Sequence, residues 1–226
     1  MTRSFDILVA GEINPDLILI GDIVPSFGQV EKLVDSATLS IGSSSAIFAC
    51  GAARLGLGVA FVGLCGDDVF GRFMLDEMRS RNVDVSHVKV IPGGETGLSV
   101  ILVQGNDRAI LTHMGLISAL TSEAITDDLL QQSRHLHVAS YFLQTALQPD
   151  LPNLFARAHD FDLSISFDPN WDPSNKWLGF DKLLRQVDIF FPNENEAMAL
   201  TGTKTYQAAA DILSQKSSTL VICIHT

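Results

Sequence analysis

The chain has 226 residues, of which 46% are hydrophobic and 18% are charged, a balance typical of a globular protein rather than of a disordered one. Its formal net charge of −11 at pH 7 argues against a nucleic-acid or anionic-membrane partner, since binding to either needs an excess of basic residues. The sequence has no signal-peptide pattern and no apolar run approaching the ~18 residues that span a bilayer, so a cytoplasmic protein is expected.

The first half of the chain is predicted to mix short strands with two helices. A buried strand spans residues 5–10, and the turn signal Asn14-Pro15-Asp16 follows it. Small residues over 44–55 predict a helix ended by Gly56, and Asp67 or Asp68 is expected to cap a second helix. Further strands are predicted over 17–20, 32–41, 59–64, 98–103 and 109–113.

The second half alternates regularly between strands and helices. Strands are predicted over 136–139, 163–167, 187–191 and 219–224, and helices over 150–159, 176–186, 194–201 and 206–214. This alternation predicts one α/β domain over residues 1–226, with a mostly parallel central sheet and helices on both faces. The β-rich segments at about 13–40 and 93–115 interrupt it, and they are expected to form a small β lid at one edge of the sheet.

Polar residues follow the first strand, where ligands collect in parallel α/β sheets. Asn14 offers a donor and an acceptor and Asp16 offers an acceptor, which suits the hydroxyl groups of a polyol. An Asx-turn that only shapes the loop explains the same residues.

A turn of small residues, Gly42-Ser43-Ser44-Ser45, lies between a predicted strand and a predicted helix. Free backbone N–H groups at a helix start allow close approach of a ligand. A plain serine N-cap is the alternative explanation. The turn is neither a Gly-x-Gly-x-x-Gly motif nor a Walker A loop, so it does not specify a nucleotide.

Carboxylates and amides follow two later strands. Asp168-Pro169-Asn170 comes after one, and Pro192-Asn193-Glu194-Asn195-Glu196 comes after the next. These groups suit hydrated Mg²⁺, which retains waters and takes one or two carboxylates. Favourable charge at a helix N-terminus accounts equally well for the second segment.

His135 and His137 lie two residues apart on a predicted strand and therefore face the same side. A zinc pair is one interpretation, but no third ligand is recognisable in the sequence. A role in packing or at the edge of a strand is favoured.

Taken in order, these segments resemble the PfkB, or ribokinase-like, family of carbohydrate kinases. The similarity covers essentially the whole chain, and it is the order and spacing of the motifs that make it specific. The motifs are Gly11-x-Ile13-Asn14-x-Asp16, the stretch 42–71 with its small-residue helix and Gly-Asp-Asp-x-x-Gly, Thr96-Gly97, His113-Met114-Gly115, Asp168-Pro169-Asn170, and Asn193-x-x-Glu196.

The resemblance implies transfer of the γ-phosphoryl group of ATP to a sugar or nucleoside hydroxyl, with Mg²⁺. It assigns the sugar contacts to Asn14, Asp16, Gly42, Ser43 and Gln144 beneath the lid. It assigns cofactor binding to Asp168, Asn193 and Glu196, with Glu196 serving the metal.

Two departures from the family pattern affect these expectations. Ile47 stands where the family has an asparagine, and an apolar side chain cannot bond a sugar hydroxyl. No stretch matches the Gly-Ala-Gly-Asp segment that carries the base, so no residue is assigned as catalytic. Because the sequence ends within two residues of an apolar strand, we expect a truncated and inactive chain.

Two alternatives to a kinase remain open. The first is a non-catalytic sugar-binding or regulatory protein of the same fold, and the second is a nucleotide-binding α/β domain of another class. A homodimer formed through the β lid is a further expectation.

Overall fold

A computed structural model describes residues 3–179 and 182–215 and the backbone of residues 221–222. The strands of its central sheet are β1 (Phe5–Ala10), β4 (Val59–Gly66), β5 (Val83–Asp84), β6 (Val88–Ile91), β9 (Ser133–Val138), β10 (Ser164–Phe167), β11 (Ile189–Phe190) and β12 (Val221–Ile222). Its strand order is β12-β11-β10-β9-β1-β4-β5, β6 also pairs with β4, and every pairing is parallel. The predicted parallel sheet is therefore confirmed.

A second sheet of four strands, in the order β3-β2-β7-β8, stands beside the first. Its strands are β2 (Pro15–Gly21), β3 (Val34–Ile41), β7 (Leu98–Gln104) and β8 (Asp107–His113). β2 pairs antiparallel with β3 and parallel with β7, while β7 and β8, which match the strands predicted over 98–103 and 109–113, form an antiparallel hairpin. Gly105 has φ 60° in its turn, a conformation that glycine adopts without steric cost.

Helices cover both faces of the central sheet, as predicted. α1 (Ser44–Arg54) and α2 (Val69–Ser80) pack on one face around Val9, Phe61 and Met74. The other face carries a larger cluster that includes Leu8, Leu136 and Phe155. It is covered by α3 (Asp127–Gln131), α4 (Leu151–Asp160), α5 (Glu194–Thr201) and α6 (Tyr206–Ser214).

The helix predicted over 176–186 is wrong. The described part of that segment has only a 3₁₀ turn, Leu184–Gln186. The Asp172 carboxylate accepts the N–H groups of Ser174, Lys176 and Trp177 at 2.7–2.9 Å, and these bonds hold the backbone in a loop. Such local side-chain bonds compete with a helix for the same donors.

Two of the predicted elements fall partly outside the described residues. The strand predicted over 219–224 is described only as β12, and the rest of that range lies outside the description, as do residues 180 and 181. Among the helices of the described residues, none is both long enough and apolar enough to cross a bilayer.

Candidate functional site

The polar loops leave the central sheet at one end. Because β1, β9, β10 and β11 run parallel, the segments that follow them all begin at the carboxyl end of the sheet. These segments carry Glu12, Ser140, Asp168 and Asn193. The first residues of α1 reach the same end, because they hydrogen-bond to Glu12.

Glu12 is the carboxylate around which this end is organised, and only 3% of its surface is exposed. Its Oε1 lies 3.0 and 3.1 Å from the hydroxyls of Ser43 and Ser44, and its Oε2 accepts the Ser45 hydroxyl at 2.6 Å. Burying a carboxylate is costly unless it is hydrogen-bonded, and three consecutive serines supply the donors here. Glu12 thereby fixes the turn from β3 into α1.

Ser44 links this turn to the loops after β9 and β10. Its Oγ lies 3.0 Å from Ser140 Oγ and 2.9 Å from Asn170 Oδ1, and that Oδ1 also accepts the Ser140 N–H at 2.9 Å. Ser140 and Asn170 have φ of 53° and 52°, a left-handed conformation that is uncommon outside glycine. Polar contacts therefore run without a break from Glu12 to Asn170.

Asp168 extends these contacts towards α5. Its Oδ1 accepts the Asn170 N–H at 3.0 Å. Burial and the neighbouring carboxylates of Glu196 and Glu12 raise the pKa of Asp168 to about 7, against the lowering effect of the Asn170 hydrogen bond. Carboxylates from the loops after β1 and β10 and from the first turn of α5 thus lie close enough to repel one another, and a bound cation would relieve that repulsion.

Asn193 and Glu196 form a capping box at the start of α5. Asn193 Oδ1 accepts the Glu196 N–H at 2.9 Å, and Glu196 Oε2 accepts the Asn193 N–H at 2.9 Å. The structure therefore shows the helix-terminus role that the sequence left open for this pair. The box also fixes the Glu196 side chain within the field of Asp168.

Asn14, Asp16 and Gly42 lie at the junction with the second sheet. Asn14 Nδ2 donates to Ser99 Oγ at 3.2 Å. A Cβ atom on Gly42 would lie 2.3 Å from Asp16 Oδ1, so the carboxylate rests directly against the Gly42 backbone. Burial raises the pKa of Asp16 to about 6, while the charge of Arg108 on β8 lowers it.

Gln144 lies in the loop after β9 and is buried, with 1% of its surface exposed. Its Nε2 donates to the Ala139 carbonyl at 2.6 Å. Its Oε1 accepts no hydrogen bond from any described residue. A buried polar atom normally has a partner, and a ligand hydroxyl would supply one.

The histidine pair packs within the central sheet. His137 stacks on Phe48 with ring centroids 3.6 Å apart, and its Nδ1 lies 2.7 Å from Ser166 Oγ. His135 Nε2 lies 2.6 Å from the same hydroxyl. β9 lies between β1 and β10, so the pair occupies the interior of the sheet rather than a strand edge.

Sequence reasoning missed Glu12, although a signal was present. Three consecutive serines at a helix start provide more donors than one N-cap uses, and a carboxylate two residues after the end of β1 is the natural acceptor. The positions of Ser140 and Asn170 carried no comparable signal, because their contact is made across two loops.

The donor chemistry fits Mg²⁺ held partly by water and phosphate better than it fits a closed protein cage. In the part of the chain that the structure describes, no three His, Cys, Asp or Glu side chains come together around a common metal position. Mg²⁺ usually takes one or two carboxylates and completes its shell with water and substrate phosphates. The neighbouring carboxylates Asp168 and Glu196 offer such a partial set.

Comparison with known proteins gave consistent matches. The model of the pfkB family carbohydrate kinases matches residues 4–223. The chain is 29% identical over 196 residues to an ATP-dependent ribose-1-phosphate kinase of Halopiger xanaduensis, covering 86% of the chain and 63% of that protein. It is 28% identical to a ribokinase of Haemophilus influenzae, covering 87% of the chain and 62% of that protein.

A solved structure shares the fold. Arabidopsis thaliana ribokinase complexed with ribose and ATP superimposes with a TM-score of 0.79 at 17% identity, covering 99% of this chain and 72% of that one. The chain spans less than two thirds of the length of the ribose-1-phosphate kinase and of the Haemophilus influenzae ribokinase.

Proposed function

The chain belongs to the PfkB family of carbohydrate kinases. We propose that it binds the sugar or nucleoside whose hydroxyl group receives the γ-phosphoryl group of ATP. The observation that carries this proposal is the series of hydrogen bonds that runs from Glu12 through Ser44 and Asn170 to Asp168, beside the close approach of Asp16 to the Gly42 backbone. Phosphoryl transfer depends mainly on positioning and charge neutralisation, and a rigid polar edge supports both.

On the acceptor side, Asn14, Asp16, Gly42 and Ser43 hold sugar hydroxyls beneath the second sheet. The Asp16 carboxylate accepts charge-assisted hydrogen bonds from the hydroxyl groups of the sugar. Gln144 Oε1 is a further acceptor, and its lack of a partner among the described residues supports the assignment. Ile47 is half exposed and adds an apolar wall in place of a hydroxyl contact.

On the phosphate side, Asp168, Asn193 and Glu196 organise Mg²⁺, its waters and the ATP phosphates. When bound, the cation neutralises the charge of the transferring group. The role of this chain is to fix the carboxylates: the capping box orients Glu196, and the Asn170 N–H orients Asp168. ATP and Mg²⁺ as substrates also favour the cytoplasm as the site of action.

The second sheet is proposed to act as a lid and as the contact between two copies of the chain. One face bears Asp16, Ser99 and Thr112. The opposite face is apolar and partly exposed; it carries Leu17, Leu19, Leu39, Val100, Leu102 and Leu111. An exposed apolar sheet face of this kind is typical of an association surface.

Sedimentation should show a dimer that Leu111→Glu dissociates.

Turnover separates the kinase proposal from its non-catalytic alternative. The resemblance assigns the base to a Gly-Ala-Gly-Asp segment that no part of this sequence matches, so we expect these 226 residues to bind sugar without phosphorylating it. The assay mixes the chain with ATP, Mg²⁺ and a sugar panel. Phosphorylated product above a no-protein control contradicts the inactivity. Sugar binding that stays without turnover in a chain extended by such a segment favours the regulatory alternative.

A further inference from the structure

A surface groove, the arginine groove, lies between the C-terminal ends of α1 and α2. It has a volume of about 360 Å³, and it is lined by Cys50, Gly51 and Arg54 of α1 and by Arg81 and Asn82, which directly follow α2. Ligand pockets commonly have volumes of about 300–1,000 Å³, so the groove can hold a small molecule. The 11 residues of α1 span about 16 Å, which separates the groove from the candidate site at the other end of that helix.

The side chains that line the groove offer hydrogen-bond donors that the protein itself does not use. The exposed guanidinium of Arg54 makes no hydrogen bond or ion pair with any described residue, and neither does the side-chain amide of Asn82. Arg81 bonds to Glu77 and Ser80 through Nη1 alone, which leaves its Nε and Nη2 groups free among the described residues. A guanidinium carries five N–H donors and no acceptor, so the groove lacks a ligand that accepts hydrogen bonds.

The groove concentrates positive charge on an acidic molecule. The formal net charge of the chain is −11, yet two arginines and no carboxylate line this one cavity. Glu77 balances Arg81 in part, whereas Arg54 has no acidic partner among the residues that the structure describes. An arginine near a helix C-terminus also interacts favourably with the helix dipole, but that interaction requires neither a cavity nor two converging guanidinium groups.

The base of the groove is open because Gly51 has no side chain. An added Cβ atom at this position would meet no other atom within 4 Å, so close packing does not explain the glycine. Glycine within a helix is destabilising relative to alanine, and here it keeps space free beside the arginines. Burial raises the pKa of the neighbouring Cys50 thiol, so this group stays uncharged and does not repel an anion.

We propose that the arginine groove is a binding site for the phosphate group of a small anion. Arg54 offers one planar pair of donors, Arg81 offers a second through Nε and Nη2, and the amide of Asn82 adds a further N–H. Arginine binds phosphate oxygens in pairs, and a phosphate group brings only acceptors, which matches this set of donors. The groove lies apart from Asp168 and Glu196, and the inference does not depend on the kinase proposal.

Calorimetry on the 226-residue chain, without ATP and Mg²⁺ and at constant ionic strength, tests the proposal with two probes. Inorganic phosphate and glycerol 3-phosphate should bind, glycerol should not, and the affinity of both phosphates should fall as salt is added. Tighter binding of glycerol 3-phosphate would identify a phosphorylated metabolite as the ligand, and equal or tighter binding of inorganic phosphate would identify the free ion. Either result supports the site.

Four variants assign the binding to the groove. Arg54→Gln and Arg81→Gln should each weaken phosphate binding by roughly tenfold or more, since each removes charge-assisted hydrogen bonds. Gly51→Leu retains both arginines but fills the groove, and it should abolish binding. Arg79→Gln is the matched control, because Arg79 also lies in the last turn of α2 but pairs with Asp76 outside the groove, so binding should be unchanged.

Three results would overturn the proposal. If neither phosphate binds, the two arginines serve only the ends of their helices. If Arg79→Gln weakens binding as much as Arg54→Gln and Arg81→Gln do, the phosphates respond to surface charge in general. If Gly51→Leu binds phosphate as tightly as the unsubstituted chain, no cavity is involved. None of these results affects the proposed sugar site, which is assayed with uncharged sugars.

Discussion

At the scale of single residues, two glycines allow the closest approaches between backbone and polar side chains in the site. A Cβ atom on Gly11 would lie 1.9 Å from Ser45 Oγ, and one on Gly42 would lie 2.3 Å from Asp16 Oδ1 and 2.8 Å from the Asn14 carbonyl oxygen. Real Cβ atoms do not approach other atoms so closely. Both positions therefore need glycine for its lack of a side chain rather than for its backbone freedom.

Gly42→Ala should displace the Asp16 carboxylate and weaken sugar binding by roughly tenfold or more, because misplaced ligand groups lose their hydrogen bonds. Overpacking of this kind also costs about 1–3 kcal/mol in the free energy of unfolding. Calorimetry with the sugar that the unsubstituted chain binds most tightly measures the first effect, and urea denaturation measures the second.

Gly51→Ala provides the matched control for that substitution. Gly51 lies within α1, and no neighbouring atom comes within 4 Å of its added Cβ. Alanine should raise the free energy of unfolding by about 0.5–1 kcal/mol through helix propensity and leave sugar binding unchanged. Equal sugar affinity in the two variants would contradict the assigned contact between Gly42 and Asp16.

The sequence indicated individual site residues to different degrees. Asn14, Asp16 and Ser43 stood out because polar residues after a strand are conspicuous, and the structure brings them to the same end of the sheet as Asp168 and Asn193. Glu12 was missed because one acidic residue beside a glycine is ambiguous without its partners. The partners of a buried carboxylate are defined by tertiary contacts, and a local pattern does not contain them.

At the level of secondary-structure elements, Asp68 ties the start of α2 to the entry of β7. Its Oδ1 accepts the Gly71 N–H at 2.7 Å as the N-cap, and its Oδ2 accepts the Thr96 N–H at 2.7 Å. Burial on its own raises the pKa of Asp68, but the hydrogen bonds from Gly71 and Thr96 outweigh it and lower the pKa overall. One side chain therefore serves a helix and a loop 28 residues apart.

Asp68→Ala should lower the free energy of unfolding by about 2–3 kcal/mol at neutral pH, because it removes an N-cap and a second charge-assisted bond. The folded pKa lies below the unfolded one, so this stabilisation is present above the unfolded pKa and is lost as the pH falls through the folded value. The difference between wild type and variant should therefore shrink below about pH 4.

Urea denaturation of Asp67→Ala serves as the control for that change. Asp67 is exposed and pairs with Arg72 at 2.8 Å on the surface, where ion pairs contribute about 0–1 kcal/mol. A similar loss in both variants would show that charge near the start of α2, rather than the two bonds of Asp68, stabilises the junction.

Elements with a strong local pattern were predicted well. α5 and α6 were predicted at the bounds the structure shows, because a capping residue and a regular apolar period define each of them. The predicted helix over 176–186 had no comparable cap, and the Asp172 side chain captured its N–H groups instead. The short strands β5 and β6 were missed, since two and four residues give too little periodicity to recognise.

For the whole molecule, the alternation of strands and helices was enough to predict the parallel sheet and its two covered faces. It was also enough to place the candidate site, because a parallel sheet brings the ends of its strands together wherever they lie in the sequence. The polar contacts between loops were not predictable, since they depend on the left-handed conformations of Ser140 and Asn170. Topology thus located the candidate site, and tertiary contacts determined its internal geometry.

A buried histidine in the middle of the sheet should make the stability of the whole molecule depend on pH. His137 is 2% exposed and stacks on Phe48, and burial, together with the nearby His135, lowers its pKa to about 3. The folded protein keeps this ring neutral, whereas the unfolded chain protonates it near pH 6.5. Between these two values the unfolded state binds more protons, so stability falls as the pH is lowered.

His137→Phe should remove this dependence while retaining an aromatic ring against Phe48. From pH 6.5 to 4 the wild type should lose about 3 kcal/mol more than the variant in urea denaturation, at up to about 1.4 kcal/mol per pH unit. His159→Gln is the control for replacing a histidine as such, because that side chain is exposed at the surface rather than buried in the sheet. Parallel profiles for wild type and His137→Phe would mean that the ring is protonated in the folded sheet, and the packing role assigned to the pair would then fail.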